Sequence, residues 1–214
     1  IGFVSLIKKL NPDILGIHEG LPNQILYLSE RLEGYSLIGS GRDGGNNGEY
    51  CAIYYKKNKF KLEKDETFWL SETPELPSIG WDAALNRIAT VGVFTSVNSS
   101  KKLIVYNSHF DHLGKIAREK SVDVILNHIK VNDYLKNAII VMGDFNSVPS
   151  EKPIKLLKEN LEDSFKDFLL EKPYGTFNGF DLKSKMGRRI DYIFTKNVNV
   201  YEYKHIDEKL TNGN

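Results

Sequence analysis

The stretch Ile139-Ile140-Val141-Met142-Gly143-Asp144-Phe145-Asn146-Ser147 begins as an apolar run and breaks at a glycine, after which it presents an acid and an amide two residues apart. A short β-branched run bounded by Gly reads as a buried strand, and alternation along an extended chain sends Asp144 and Asn146 to the same side. Both then sit at the strand's C-terminal end, the edge at which open α/β sheets build their sites. The letters GDFNS also read as a turn, because Asp, Asn and Ser hydrogen-bond their own backbone. The rest of the chain has to choose between turn and site.

Working outward, the pattern alternates between two periods. IAREKSVDVILNHIK before the central run and EKPIKLLKEN after it have helical spacing, and Pro153 suits a first helical turn. At the start, IGFVSLIKKL spaces Phe3, Leu6, Ile7 and Leu10 as a helix, Pro12 marks its stop, DILGIHEG reads as a strand and QILYLSERL as the next helix. From Tyr35 to about Val105 strands and turns dominate: YSLIGS, EYCAIYYKK, KFKLEKDETFWL, RIATVGVFTSV and KLIVYNSHF. RRIDYIFTK and VNVYEYKHI are expected as the last strands. Mixed strands with covering helices imply a layered α/β domain, helices outside and sheets meeting inside.

The 214 residues contain no repeat, low-complexity tract or Pro/Ser-rich linker, so one domain over 1–214 is expected. Lys and Arg number 29 against 28 Asp and Glu. That balance lacks the basic excess of a dedicated nucleic-acid binder, although it does not exclude nucleic acid. Cys51, the single cysteine, precludes an internal disulfide and reads in EYCAIYY as a small apolar strand residue, with a catalytic thiol the weaker alternative. No apolar run reaches the length of a membrane span, and no signal peptide precedes the first residue. The chain opens on Ile1 and stops at Asn214 after a turn-forming TNGN, and so reads as a processed or truncated piece. Its compartment, cytoplasmic or secreted, stays open.

Several polar groups close apolar strands in the same way. Glu19 ends DILGIHE, Asn107 and His109 end LIVYNSH, Asp144 and Asn146 end IIVMGDFN, and Asp191 lies inside RRIDYIF. Strand ends converging on one sheet edge gather carboxylates, amides and an imidazole in one cleft. Few oxygen ligands plus retained waters suit Mg²⁺ or Mn²⁺, whereas the lack of Cys/His clusters argues against structural zinc. Such an ion polarises a phosphate oxygen and helps to activate water, which points to a phosphoester hydrolase. Each group also has a structural reading: Glu19 as a solvated strand end, His109 as a core histidine, Asp191 as an ion-pair partner of Arg189. His112 and Asp111 in HFDH are plausible rim groups, while His18, His128 and His205 are assigned to structure or solvent. GSGRDGGNNGEY reads as a glycine-rich mobile loop near the cleft, where Arg42 meets an anion or simply belongs to a solvated turn.

Taken together, PDILGIHE, GEYCAIYY, NRIAT, YNSHFDH, IIVMGDFNS and RRIDYIF, in this order, resemble the endonuclease/exonuclease/phosphatase superfamily. FWLSETPE, WDAALNRIAT and GTFNGF look like a bacterial and fungal branch of it. The resemblance implies a four-layer sandwich of two packed, mixed β-sheets flanked by helices. It implies a metal-binding role for Glu19, orientation or deprotonation of the attacking water by Asp144, and a hold on the scissile phosphate by Asn146. It further implies that His109 donates to a phosphate oxygen or the leaving group, that Asn107 neighbours it at the same edge, and that Asp191 orients a catalytic histidine. Arg87 and Arg118 match phosphate contacts or structural pairs.

The departures from the superfamily are also specific. The chain begins inside the first helix, without the early strand that carries a catalytic asparagine, and stops where a Ser-Asp-His motif is expected. His18 stands where Gln usually precedes the metal-binding Glu, and Ile88 follows Arg87 where deoxyribonuclease-like relatives carry an acid. The chain as it stands is therefore expected to be impaired, because loss of a general acid/base costs about 10² to 10⁴ in rate. The expected substrate is a phosphoester (nucleic acid, small phosphoester or lipid headgroup), with no obligate protein partner. The competing reading is a non-catalytic binding module that keeps the fold, against which the retained Glu19, His109, Asp144, Asn146 and Asp191 argue.

Overall fold

Residues 138–144 form a strand whose neighbours on its two faces belong to different layers. In the computed structural model, which describes residues 2–165, 175–179 and 187–206, Ile139 and Val141 join one apolar cluster while Ile140 and Met142 join another. A strand of alternating side chains buried on both faces requires a layer on each side of its sheet. The described strands are β1 (Ile14–Gly20), β2 (Tyr35–Ile38), β3 (Tyr50–Lys56), β4 (Phe60–Trp69), β5 (Ile88–Ser96), β6 (Lys102–His109), β7 (Ala138–Asp144), β8 (Glu162–Asp163) and β9 (Asp191–Lys196). The helices are α1 (Gly2–Leu10), α2 (Pro22–Arg31), α3 (Lys115–Val131) and α4 (Lys152–Asn160).

Among the described residues, β1-β3-β2 make a three-stranded antiparallel sheet. A six-stranded sheet has the order β4-β5-β6-β7-β9-β8, and its β6–β7 pair is parallel. That parallel pair is reached through α3, as a crossover connection demands. Three apolar clusters fill the spaces between four layers. Val4, Ile7, Ile25 and Leu28 of α1 and α2 cover Ile17, Ala52 and Tyr54 of the small sheet. Ile38, Ile53, Phe94 and Val105 lie where the sheets meet, and Val122, Ile125, Ile154 and Leu157 of α3 and α4 cover the outer face of the large sheet. The sandwich is the one the resemblance implies.

Two glycines make the close approaches possible. A Cβ on Gly16 would stand 2.7 Å from Met142 Cε and 2.8 Å from Asn107 Oδ1, so the sheets approach over a bare backbone there. A Cβ on Gly143 would stand 2.0 Å from the Ser108 carbonyl oxygen, between two paired strands.

One expected strand is absent. Residues 198–206 join no ladder, although VNVYEYKHI alternates. Both edges of the preceding strand, β9, are already occupied, by β7 and β8. The segment instead packs through its rings: Tyr203 and His205 lie against Phe165, with centroids 5.4 and 6.2 Å apart. Among the described residues no helix is long and apolar enough to cross a membrane.

Candidate active site

Strand register builds the centre of the site. The β6–β7 pairing sets His109 opposite Asp144, and the β7–β9 pairing sets Asp144 opposite Asp191. Residues opposite one another project from the same face, so an imidazole and two carboxylates form one row at the end of three adjacent strands. The small sheet adds Glu19, whose Oε1 lies 3.9 Å from His109 Nε2, while Asp144 Oδ2 lies 3.8 Å from the same atom. Glu19 reaches this position through an irregularity: the β1–β3 register shifts between Ile17 and Gly20, and Glu19 has φ +55°. Such a bulge re-aims a side chain at the rim of a sheet.

GDFNS forms the turn that its letters suggest, and that turn lies beside the His109–Asp144 row. β7 ends at Asp144, and Asn146, at φ +46°, donates its backbone N–H to Asp144 Oδ1 at 2.8 Å. Asn146 therefore meets Asp144 through a turn and not through strand alternation. Its Nδ2 donates to the Phe110 carbonyl at 3.0 Å, and because a carbonyl only accepts, the orientation of the amide is fixed. The same Nδ2 lies 3.1 Å from His109 Nε2, which must then be the acceptor, leaving the ring proton on Nδ1. Burial, followed by the charge of Arg87, pushes the His109 pKa down to about 2, so its contacts with the two carboxylates are not ion pairs. Asp144 moves the other way: burial, then the charges of Asp191 and Glu19, push it up to about 7.

Asn107 takes a different place from the one expected of a catalytic group. It is fully buried between the sheets, where Nδ2 donates to the carbonyls of Ile17 (3.1 Å) and Ala52 (2.9 Å) and Oδ1 bonds His18 Nε2 at 2.7 Å. It is a crosslink from β6 to β1 and β3. His18, assigned from sequence to structure or solvent, lies in the site, with its ring centroid 6.4 Å from that of His109. Burial lowers its pKa.

The three arginines differ in placement. Arg87 and Arg42 line a narrow recess with Glu19, Glu49, Asn86 and His109. Arg87 is buried and paired, Nε to Asp111 Oδ2 at 3.3 Å, and its Nη2 donates to His112 Nδ1 at 3.1 Å. Arg42 pairs with Glu49, and its carbonyl accepts from Trp69 Nε1 at 2.6 Å, so FWLSETPE fastens the glycine-rich loop that the sequence suggested was mobile. Arg118 lies buried under the site edge, donating to the Asp111 carbonyl at 3.1 Å with Glu151 3.7 Å away. Asp111 is the hub of this edge. Burial opposes its charge, but the N–H groups of Gly114, Leu113 and Ala84, with Arg87 beside them, hold its pKa down to about 2.

Two further residues do positioning work that spacing did not reveal. Asp82 of WDAALNRIAT accepts from the Ala117 and Ile116 N–H groups (2.6 and 3.2 Å), capping α3 in place of the bare Gly114 N-cap. Thr176 Oγ1, in GTFNGF, accepts from the N–H groups of Ile190 and Asp191 at 3.0 Å each, fixing the start of β9. Asp191 is not paired with Arg189, because that guanidinium bonds Asp163 (3.0 Å for Nη1–Oδ2). Cys51 is buried and its thiol is pushed up to about 12, which leaves it apolar in character.

The donor set suits a hard cation. Among the described residues no three His, Cys, Asp or Glu side chains close around a common point. Mg²⁺ does not need such a cage, since it binds through one or two carboxylates, several waters and substrate phosphate. The Glu19 side chain is 61% exposed, and it and Asp191 lie close enough to Asp144 for their charges to raise its proton affinity. A divalent cation bound there would relieve that repulsion.

Residues 2–206 match the sequence profile of the Endonuclease/Exonuclease/phosphatase family. An uncharacterized protein of Acanthamoeba polyphaga mimivirus is 30% identical over 235 residues, spanning 96% of this chain and 84% of its own length. Tyrosyl-DNA phosphodiesterase 2 of Gallus gallus is 23% identical over 194 residues, 89% of this chain and 47% of that protein. Among solved structures, the mannosyl-6-phosphatase of Bacteroides thetaiotaomicron superposes with a TM-score of 0.84 at 35% identity, covering 91% of this chain and 75% of that one.

Proposed function

The chain belongs to the endonuclease/exonuclease/phosphatase family, and on that premise we propose that it is a Mg²⁺- or Mn²⁺-dependent phosphoesterase, hydrolysing a phosphomonoester or phosphodiester by in-line attack of water. The single observation that carries this reading is the row His109–Asp144–Asp191 with Glu19 facing it from the other sheet.

In this reading Glu19 is the protein ligand of the cation. The ion, when bound, polarises the scissile phosphate and offsets its charge. Asp144 orients the attacking water and takes its proton, a task for which a carboxyl group titrating near neutrality is suited. Asp191 keeps the proton affinity of Asp144 high. Asn146 turns one Nδ2 hydrogen from His109 to a phosphate oxygen while its bond to the Phe110 carbonyl keeps the amide aimed. The same exchange frees His109 Nε2, and a phosphate anion beside it offsets the burial and positive charge that keep the ring neutral, so that Nε2 can pass the proton lost by the attacking water to the leaving-group oxygen as the ester P–O bond breaks. Asn107 serves this chemistry from a distance, as the crosslink behind the row. Arg87 and Arg42 supply the positive side of the recess.

For the substrate, a small phosphoester such as a sugar phosphate is favoured over nucleic acid. The near-equal charge count gives no support to the basic excess that nucleic-acid backbone binding draws on, and a 35% identical relative is by name a mannosyl-6-phosphatase. The test is hydrolysis of a panel of sugar phosphates, nitrophenyl mono- and diesters and single-stranded DNA, with Mg²⁺, Mn²⁺ or EDTA, for the protein and its Asp144→Ala variant. Turnover that EDTA and the substitution both abolish supports the reading. Turnover that survives EDTA sinks the metal assignment, and silence across the panel from folded protein favours a binding module.

A further inference from the structure

We infer that His18, held by Asn107, is the positioning residue for Glu19, and that this clamp between the two sheets sets the affinity of the site for a divalent cation. The inference rests on the proposed role of Glu19 as the metal ligand.

The hydrogen bonds of Asn107 leave one assignment. Its Nδ2 reaches two backbone carbonyls, those of Ile17 and Ala52, which can only accept. Its Oδ1 is therefore the atom that faces His18, and the 2.7 Å contact requires a proton on His18 Nε2. The ring is thus fixed both in place and in tautomer, with Nδ1 as its bare acceptor.

Glu19 follows immediately in the chain and needs such support. Its φ of +55° is a left-handed conformation that Glu rarely adopts. Strained backbone of this kind persists only where the surroundings over-determine it. Here Asn107 grips the carbonyl of Ile17 and the ring of His18, the two residues before Glu19, and also Ala52 on the facing strand β3. After Glu19, pairing resumes at Gly20 with Tyr50. The bulge is pinned on both sides.

The clamp also explains how the two sheets come to share one site. Asn107 and His109 lie two residues apart on β6, so the side chain that fixes the bulge and the side chain that Glu19 approaches to 3.9 Å are carried by the same strand. Without the His18–Asn107 bond, Glu19 belongs to an exposed edge of the small sheet, and its distance from the His109–Asp144 row is no longer set. Partners that orient a metal ligand in this way carry a large share of metal affinity.

The experiment has two readouts on the metal-free and metal-titrated protein. ¹⁵N-histidine NMR of the metal-free protein should show His18 as the Nε2–H tautomer; an Nδ1–H tautomer overturns the clamp. Calorimetric Mn²⁺ titration of wild type, Glu19→Gln, His18→Ala and His18→Gln should then give about a tenfold weaker Kd for His18→Ala, with His18→Gln, whose amide can donate to the same oxygen, recovering most of it. If Glu19→Gln loses Mn²⁺ while His18→Ala binds it as wild type does, the clamp is wrong and the metal site stands. If Glu19→Gln binds Mn²⁺ unchanged, the metal assignment itself fails and takes the inference with it. Should His18→Ala not fold, an affinity for His18→Gln reduced by tenfold or more counts against the clamp, since that variant keeps the donor.

Discussion

Asp144 and Asp191 are register partners on β7 and β9, and of the causes that lift Asp144 to about 7, the charge of Asp191 comes next after burial. Asp191→Asn removes that neighbour, makes the Asp144 carboxylate easier to form and so lowers its pKa. The acidic limb of the kcat/KM–pH profile is expected to move to lower pH, by about one unit. A limb that stays in place or moves up would show that Asp144 is not the group being titrated.

The same shift has a cost for the fold. A carboxyl with a raised native pKa binds more protons when folded than when unfolded, so its contribution falls as pH rises from about 4 to 7. At about 1.4 kcal/mol per unit, the cost above pH 7 is on the order of 4 kcal/mol. Asp144→Asn is therefore expected to melt at higher temperature than wild type at pH 8 in EDTA, with the gap closing below pH 4. Equal melting temperatures at pH 8 would contradict it.

Thr176 offers one oxygen to two backbone donors at the start of β9. Thr176→Val leaves both N–H groups without that acceptor, at about 1–3 kcal/mol for an unsatisfied buried donor, and loosens Asp191. Chemical denaturation should show the loss and steady-state kinetics a lower kcat with little change in KM. Thr176→Ser keeps the oxygen and should restore both.

Asp111 joins Arg87, the loop at Ala84 and the turn before α3. Asp111→Ala leaves a buried guanidinium without its counter-charge, a change expected to cost about 3–5 kcal/mol. Its native pKa is depressed, so the stability it supplies is complete above the ordinary carboxylate range and is lost as pH falls towards about 2. Urea midpoints of the variant and wild type should accordingly converge on acidification. A constant gap down to pH 2 would assign the effect to packing alone.

Much of the site was legible because it lies on strands, where spacing translates directly into position. His109, Asp144 and Asp191 each stand at or beside the end of an apolar run, and pairing then aligns them. Asn107 obeyed the same spacing but was not distinguishable as a crosslink, since the backbone carbonyls that satisfy it belong to residues 90 and 55 positions away. His18 and Thr176 were obscured for a related reason. Each acts through one side-chain atom bonded to a distant or irregular segment, His18 to Asn107 and Thr176 to two backbone donors, and neither period nor composition marks such bonds. The last expected strand failed on a tertiary fact, that no free edge of β9 was left for it.

The sequence by itself determined the layers: apolar alternation at period two or near four dictates which segments bury one face or two, and therefore that sheets are covered by helices. It also determined which chemical groups stand at strand ends. Only the tertiary structure decided how those groups act. The tautomer of His109, the proton affinity of Asp144, the conversion of Asn107 from a site group to a clamp and the left-handed turn that aims Glu19 all depend on what the second sheet places within a few ångströms. Burial and hydrogen-bond geometry are properties of that assembly and are not carried by any residue alone.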